Sequence, residues 1–275
     1  MSATSDIVLI KYGGNAMKNP ALQAQVIHAI ATLHKQGSKV VLVHGGGPEI
    51  QRLLDLAGVE SEFIGGQRKT TPEAMMYVQM ALRGEVNGTL VRLFNTFGVK
   101  AVGISGKDGL LAVAEKRLQK RTIDGKTELV DLGLVGNIQE INPLLIHSLL
   151  DSGYLPVVAP VAMGLDGNDY NVNADTFAGK LAAALQAKMY ISLSDVDGLY
   201  KDFPNPESRV ASMSLDELKH FLENVATGGM IPKLESIAEA LEGGVHEAHI
   251  FNGTKPEALS AQLNGNSESG TKIFK

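Results

Sequence analysis

Residues 40–49 of this 275-residue chain read Val-Val-Leu-Val-His-Gly-Gly-Gly-Pro-Glu. Four successive apolar residues without alternation mark a strand covered on both faces, the condition inside a parallel sheet. Three glycines let the backbone pack closely against a ligand, and Pro48 marks the start of the helix that follows. A helix opening there offers unpaired N–H groups and a partial positive charge to a phosphate or carboxylate. Strand, glycine turn and helix make half of a βαβ unit, so the fold depends on whether that unit repeats.

It repeats in both directions. Ile7 to Ile10 reads as a strand ending at the Gly13-Gly14 turn, and the next helix is bounded by Asn19 as N-cap, Pro20 at its first position and Gly37 past its end. Beyond the glycine triplet, helices start at Pro48 and after Thr71-Pro72, and a strand covers Ala101 to Ile104. Residues 111–141 break the alternation: Asp124-Gly125 sits between β-prone runs and predicts an antiparallel hairpin beside the main sheet. The pattern resumes with a helix opened by Asn142-Pro143 and closed by Gly153, then the apolar strand Leu155 to Val158. The second half reads as helix 174–187, strand 189–194, a helix opened by Ser214, helix 232–242, strand 248–252 and a helix from Pro256. Ser214 and Glu217 have capping-box spacing, with Met213 and Leu218 as the hydrophobic staple. The expectation is an α/β fold with a mostly parallel sheet and helices on both faces.

Composition removes several classes of function. With 25 Lys+Arg against 30 Asp+Glu the formal charge is 25 − 30 = −5, a poor footing for nucleic-acid binding, which needs a basic surface. No cysteine is present, so disulfides, thiolate nucleophiles and Cys-based metal sites are excluded. Hydrophobic residues make up 44% and charged residues 20%, an ordinary globular balance. No apolar stretch reaches the roughly 18–20 residues of a membrane span, and no secretory signal is visible, so the expected location is cytoplasmic. Glycine is in excess, 30 residues against a usual share of about 7%.

Five segments could carry chemistry. Lys11-Tyr12-Gly13-Gly14 ends the first strand and could bring an ammonium and bare backbone N–H groups to one anion; it is also compatible with a surface lysine before a tight turn. In the glycine triplet, Gly46 and Gly47 are the candidate ligand contacts, whereas His44 reads as a packed or hydrogen-bonding residue. Neither the Gly-x-Gly-x-x-Gly pattern nor the P-loop pattern occurs, so nucleotide binding needs another scheme. Asn171-Val172-Asn173-Ala174-Asp175 could donate to a carboxylate through its asparagines and hold lysines through Asp175, or could form an N-cap cluster. Asp195-Val196-Asp197-Gly198-Leu199-Tyr200 follows another apolar strand, where a nucleotide could lie. Gly228-Gly229-Met230-Ile231-Pro232-Lys233 leads into a helix whose dipole disfavours a cation in its first turn, so Lys233 reads as serving an anion. Asn87-Gly88-Thr89 and Asn252-Gly253-Thr254 match a glycosylation sequon without the expected export signal, and His246 and His249 lack metal-site spacing.

In this order, and together with Gly66 to Arg68, GISGKDG at 103–109, DLGLVG at 131–136 and YNVNADT at 170–176, these segments resemble the amino-acid kinase family. GKDG with YNVNAD and GMIPK favours its acetylglutamate branch. The resemblance implies an open αβα sandwich of the carbamate kinase-like kind, one domain over 1–275 with an acyl-substrate and dimerisation lobe near 1–170 and a nucleotide lobe near 171–275. It implies that ATP phosphorylates the γ-carboxylate of N-acetyl-L-glutamate, a step of arginine biosynthesis. Lys11 and Lys233 would stabilise the transferring phosphoryl group and Asp175 would position them. Gly46, Gly47, Arg68, Asn171 and Asn173 would bind the acyl substrate. Gly13, Gly14, Asp195, Val196, Gly198, Leu199, Tyr200, Gly228, Gly229 and Met230 would bind the nucleotide. Mg²⁺ would ride on the ATP phosphates through water with no protein ligand.

The chain departs from the family at Lys69-Thr70-Thr71-Pro72 and at Val86-Asn87-Gly88, both near the acyl side. It starts its first strand at about residue 7, without the extra N-terminal helix of arginine-inhibited hexamers, which implies an arginine-insensitive homodimer. The alternatives are a kinase of an aminoadipate derivative, one methylene longer, and a metabolite sensor without catalysis. A Rossmann oxidoreductase is weakened by the missing fingerprint.

Overall fold

A computed structural model describes residues 6–13, 17, 19–123, 126–203, 205–265 and 270–275. Gly14 and the Asp124-Gly125 turn lie outside the described residues. The central sheet has eight strands in the order Ser212–Ser214, Thr271–Phe274, Glu247–Asn252, Met189–Ser194, Ile7–Tyr12, Lys39–His44, Leu155–Ala159, Ala101–Ser105. The six strands from Glu247–Asn252 to Ala101–Ser105 are parallel, as the unalternating apolar runs require, and the two at the other edge run the opposite way. The first strand pairs with Lys39–His44 on one side and with Met189–Ser194 on the other. Connections therefore leave the sheet centre in opposite directions, and a crevice opens at the carboxyl ends of these three strands.

Side-chain alternation along Ile7–Tyr12 splits the core. Val8, Ile10 and Tyr12 pack with Val26, Ile27 and Ile30 of helix Pro20–Lys35 and with Leu90 and Phe94 of helix Asn87–Thr96. Ile7 and Leu9 face the opposite layer, built from Phe177 and Leu181 of helix Ala174–Ala184 and Leu234, Ile237 and Leu241 of helix Met230–Glu242. Residue 11 continues the Ile7–Leu9 face, so Lys11 points at those two helices. Helices Ala174–Ala184 and Met230–Glu242 pack unusually close at Gly179, where a Cβ would stand 2.4 Å from the Ser236 carbonyl oxygen. A glycine weakens a helix by about 0.5–1 kcal/mol relative to alanine; here its bare backbone permits that close contact.

Most expected elements are present. Asn19 caps its helix through Oδ1, and Ser214 and Glu217 form the reciprocal capping box. The hairpin at 111–141 exists as Ala112–Ile123 paired with Lys126–Ile141. It is separate from the main sheet, as expected, and closes with Val161–Gly164 and Asp169–Val172 into a four-stranded barrel. Closure removes the exposed edges that a lone hairpin would carry. Two helix boundaries move. The helix expected at 174–187 ends at Ala184, and that expected at 232–242 starts at Met230. The Thr227 and Gly228 carbonyls accept from the N–H groups of Met230 and Ile231 and turn the chain early, and Pro232 is tolerated in the first turn, where no intrahelical N–H bond is lost. A π-helical segment without a signal in the sequence, Met80–Val86, joins Pro72–Gln79 to Asn87–Thr96. Extra turns of this kind concentrate at functional sites.

Candidate active site

Three buried charged residues from three elements bring their side chains together at the crevice. Lys11 Nζ donates to Asp175 Oδ2 at 2.9 Å, and Lys233 Nζ donates to Asp175 Oδ1 at 3.2 Å. Lys11 is the penultimate residue of the central strand, Asp175 is in the first turn of its helix and Lys233 is in the first turn of the other. Burial alone would raise the Asp175 pKa, but the two ammonium groups outweigh it and hold the carboxyl at about 2. Burial lowers the Lys233 pKa, and the Lys11 charge adds to that, while Asp175 opposes both. With both lysines charged, 2 − 1 leaves one positive charge in excess inside the protein. A buried excess charge is costly until an anion joins it.

A cavity of about 430 Å³ adjoins the glycine triplet and is lined by Gly46, Gly47, Arg68, Asn171 and Asn173 among others. Its volume suits a small molecule. Ile50, Leu82, Val135 and Val172 supply apolar wall. Gly46 caps helix Gly47–Ala57, and a Cβ there would meet Leu82 Cδ2 at 2.7 Å. The π-helical segment that carries Leu82 is thus pressed onto the glycine turn. Arg68 is buried with its guanidinium already anchored: it donates to Gln51 Oε1 at 2.6 Å and to Ser61 Oγ, and lies over the Phe63 ring at 4.6 Å. Burial lowers its pKa and Asp55 opposes, yet an arginine keeps its charge at any working pH. Asn171 Nδ2 reaches Thr70 Oγ1 at 3.3 Å, and Thr70 bridges to Gly133, so the 69–72 and 131–136 segments brace this cavity together.

A second cavity, about 380 Å³, is lined by Val196, Gly198, Leu199, Tyr200, Phe203, Met230 and others. Tyr200 and Phe203 form an edge-to-face pair with centroids 5.6 Å apart.

The other candidate residues take different positions. Asn173 uses Oδ1 as the N-cap of its helix, accepting from Asp175 N and Thr176 N, because a helix opening there leaves those donors unpaired. Its carbonyl oxygen is therefore committed to the fold, and the N-cap reading of that segment holds for this residue. Asp195, Gly228 and Gly229 do not line the second cavity. Gly13 instead touches the other glycine turn, its Cβ direction 3.3 Å from Gly45 N. His44 is structural: Nδ1 donates to the Gly45 carbonyl, Nε2 accepts from Asn87 Nδ2 at 3.0 Å, and burial lowers its pKa to about 4. Asn87 also donates to the Val157 carbonyl, tying the ends of neighbouring strands. In GKDG, Lys107 pairs with Asp169, and Asp108 accepts from Ser105 N and Oγ.

The sequence reading missed Gln51, Ser61, Phe63 and Leu82 around the first cavity, and Gly179 and Ser192 behind the charged cluster. Ser192 had a signal, a hydroxyl in the otherwise apolar run Met189–Leu193, flanked by Ile191 and Leu193.

Comparison with known proteins agrees with this architecture. A model of the amino acid kinase family matches residues 6–252. An acetylglutamate kinase of Frankia alni is 47% identical over 266 residues, covering 97% of this chain and 76% of that protein. An acetylglutamate kinase of Heliobacterium modesticaldum is 43% identical over 270 residues, covering 98% and 92%. A carbamate kinase of Giardia lamblia bound to AMP-PNP superposes with a TM-score of 0.69 at 20% identity, covering 100% of each chain.

Proposed function

The chain belongs to the amino acid kinase family, and on that footing we propose that it transfers the γ-phosphoryl group of ATP to the γ-carboxylate of N-acetyl-L-glutamate. The observation that carries this reading is the buried Lys11–Asp175–Lys233 cluster, one positive charge in excess, at the crevice between two cavities. Identities of 43–47% with acetylglutamate kinases over nearly the full chain give the acyl substrate.

The acyl substrate occupies the first cavity with one carboxylate on Arg68, whose planar fork matches both oxygens. ATP lies over the second cavity, its base among Tyr200, Phe203 and Met230 and its phosphates reaching the glycine turns. A γ-carboxylate with a reference pKa near 4.3 is ionised at neutral pH, so it attacks without a general base. Its oxygen bonds to the γ-phosphorus as the bond to the bridging oxygen of ADP breaks, and ADP leaves with that electron pair. The step brings two anions together, so alignment and charge neutralisation do the catalytic work. Lys11 and Lys233 supply the neutralisation, and Asp175 sets their spacing.

Both Asp175 oxygens are engaged by ammonium groups, and no cluster of three His, Asp or Glu able to hold a metal occurs among the described residues. Mg²⁺ would ride on the ATP phosphates through water and would supply further charge neutralisation there. A homodimer indifferent to arginine completes the reading; light scattering and turnover in millimolar arginine test it, and a hexamer or inhibition overturns it.

The main test is ATP-Mg²⁺ turnover with the acyl phosphate trapped by hydroxylamine, comparing N-acetylglutamate with glutamate, aspartate and N-acetylaminoadipate. The expected outcome is preference for N-acetylglutamate. No turnover of any of them would leave a sensor on the same fold.

A further inference from the structure

Lys233 is gripped from one strand at both ends. Strand Met189–Ser194 presents Tyr190 and Ser192, two residues apart and so on one face, to helix Met230–Glu242. Tyr190 Oη lies 3.1 Å from Ser236 Oγ, which donates to the Lys233 backbone carbonyl at 2.8 Å, so the tyrosine is the donor to the serine. Ser192 Oγ accepts from Lys233 Nζ at 3.0 Å. Ser192 is fully buried and is the register partner of Lys11 on the adjacent strand.

An ammonium has three N–H donors in fixed tetrahedral directions. One of Lys233's goes to Asp175 and one to Ser192. Two anchors stop the group from rotating and leave one N–H in a determined direction. Asp175 alone would hold the ammonium through a single contact, which Ser192 makes two. A hydroxyl in the middle of a buried strand also costs free energy unless it is used, and isoleucine and leucine flank it in the chain.

We propose that Ser192 is a positioning residue for the phosphoryl transfer, holding the Lys233 ammonium so that its remaining N–H meets the transferring phosphoryl group. The proposal rests on the reading of Lys233 as a group that touches those oxygens. Around Lys233 Nζ stand Asp175 from its helix, Lys11 from the central strand and Asp195 beyond the end of strand Met189–Ser194.

The test compares Ser192→Ala, Ser192→Thr and Lys233→Ala in the full chain, measuring kcat and both KM values from pH 6 to 10, with thermal melting as a folding control. Loss of precise placement costs up to about 100-fold in rate. Ser192→Ala is expected to lower kcat roughly 10-fold or more with both KM values within about twofold. It should also move the alkaline limb of kcat to lower pH, since the charged lysine loses an acceptor. Ser192→Thr, which keeps the hydroxyl, should restore both. A packing role would change melting without moving that limb. Wild-type kcat and limb in Ser192→Ala, or failure of Ser192→Thr to rescue, would overturn the proposal. Wild-type turnover by Lys233→Ala would instead sink the underlying reading of Lys233, so the two failures are separable.

Discussion

The two cavities that flank the charged cluster are built on opposite principles. The first is finished before any ligand arrives: Arg68 is buried and held by Gln51 and Ser61, its ring partner Phe63 is beside it, and Leu82 abuts the glycine turn. The second is walled by Tyr200, Phe203, Phe221, Val225 and Met230, with Phe203 exposed. A fixed guanidinium among apolar walls discriminates by charge and length, whereas loosely covered aromatic surface offers area with little orientation. In the proposed reading discrimination belongs to the first cavity and general attraction to the second, and the lysines assigned to the phosphoryl group, Lys11 and Lys233, line neither.

Substitutions can break this division of labour. The largest effect is expected for Asp175→Ala, which leaves two buried ammonium groups facing each other. Breaking a buried pair this way costs about 3–5 kcal/mol, read by denaturant unfolding, and unchanged stability would mean the cluster is solvated. Next, Lys11→Ala or Lys233→Ala should lower kcat by roughly 10²- to 10³-fold while both KM values stay close to wild type. A change confined to one KM would place that lysine inside a cavity rather than between them.

Acid probes the same cluster in the native protein. Asp175 titrates at about 2 when folded, against 3.8 in the unfolded chain, so its stabilising contribution is complete above pH 4 and is lost as pH falls toward 2. The wild type should lose about 2 kcal/mol more than Asp175→Asn between pH 5 and 2. Parallel losses would show that the two lysines do not govern this carboxylate.

Smaller effects separate the cavities from each other. Arg68→Ala should raise KM for N-acetylglutamate roughly tenfold or more and leave KM for ATP nearly unchanged, because charge-assisted hydrogen bonds are worth about 1.5–3 kcal/mol. The reverse order would exchange the two sites. Phe203→Ala should raise KM for ATP by about fivefold, the equivalent of about 1 kcal/mol of aromatic contact, with no effect on the acyl substrate.

The strand-and-helix alternation, the glycine turn after His44 and the ends of most helices were legible because they depend on neighbours in sequence. Asn19, Ser214 and Glu217 cap as expected because a cap bonds two or three residues away. The barrel was not legible, since Asp169–Val172 meets Lys126–Ile141 only after the chain has crossed the sheet. The π-helical turn escaped for a related reason: Met80–Val86 carries no proline or cap to mark it, and it is packing against Gly46 that gives Leu82 its place. The N-cap role of Asn173 was legible because its oxygen accepts an N–H two residues away, and the residue also lines the first cavity.

By itself, the sequence determined the class of fold and singled out Lys11, Asp175 and Lys233, each at a strand end or a helix mouth, whereas Arg68 came only from the resemblance to the amino-acid kinase family. Only the tertiary structure decided that Lys11 and Asp175, 164 residues apart, share one hydrogen bond. It likewise decided that Gly179 lets two helices close on Ser236, and that Ser192 is spent on an ammonium instead of the core. The cluster's charge balance is a property of distances of a few ångströms, and Coulomb energy at such range depends on burial that no stretch of sequence contains.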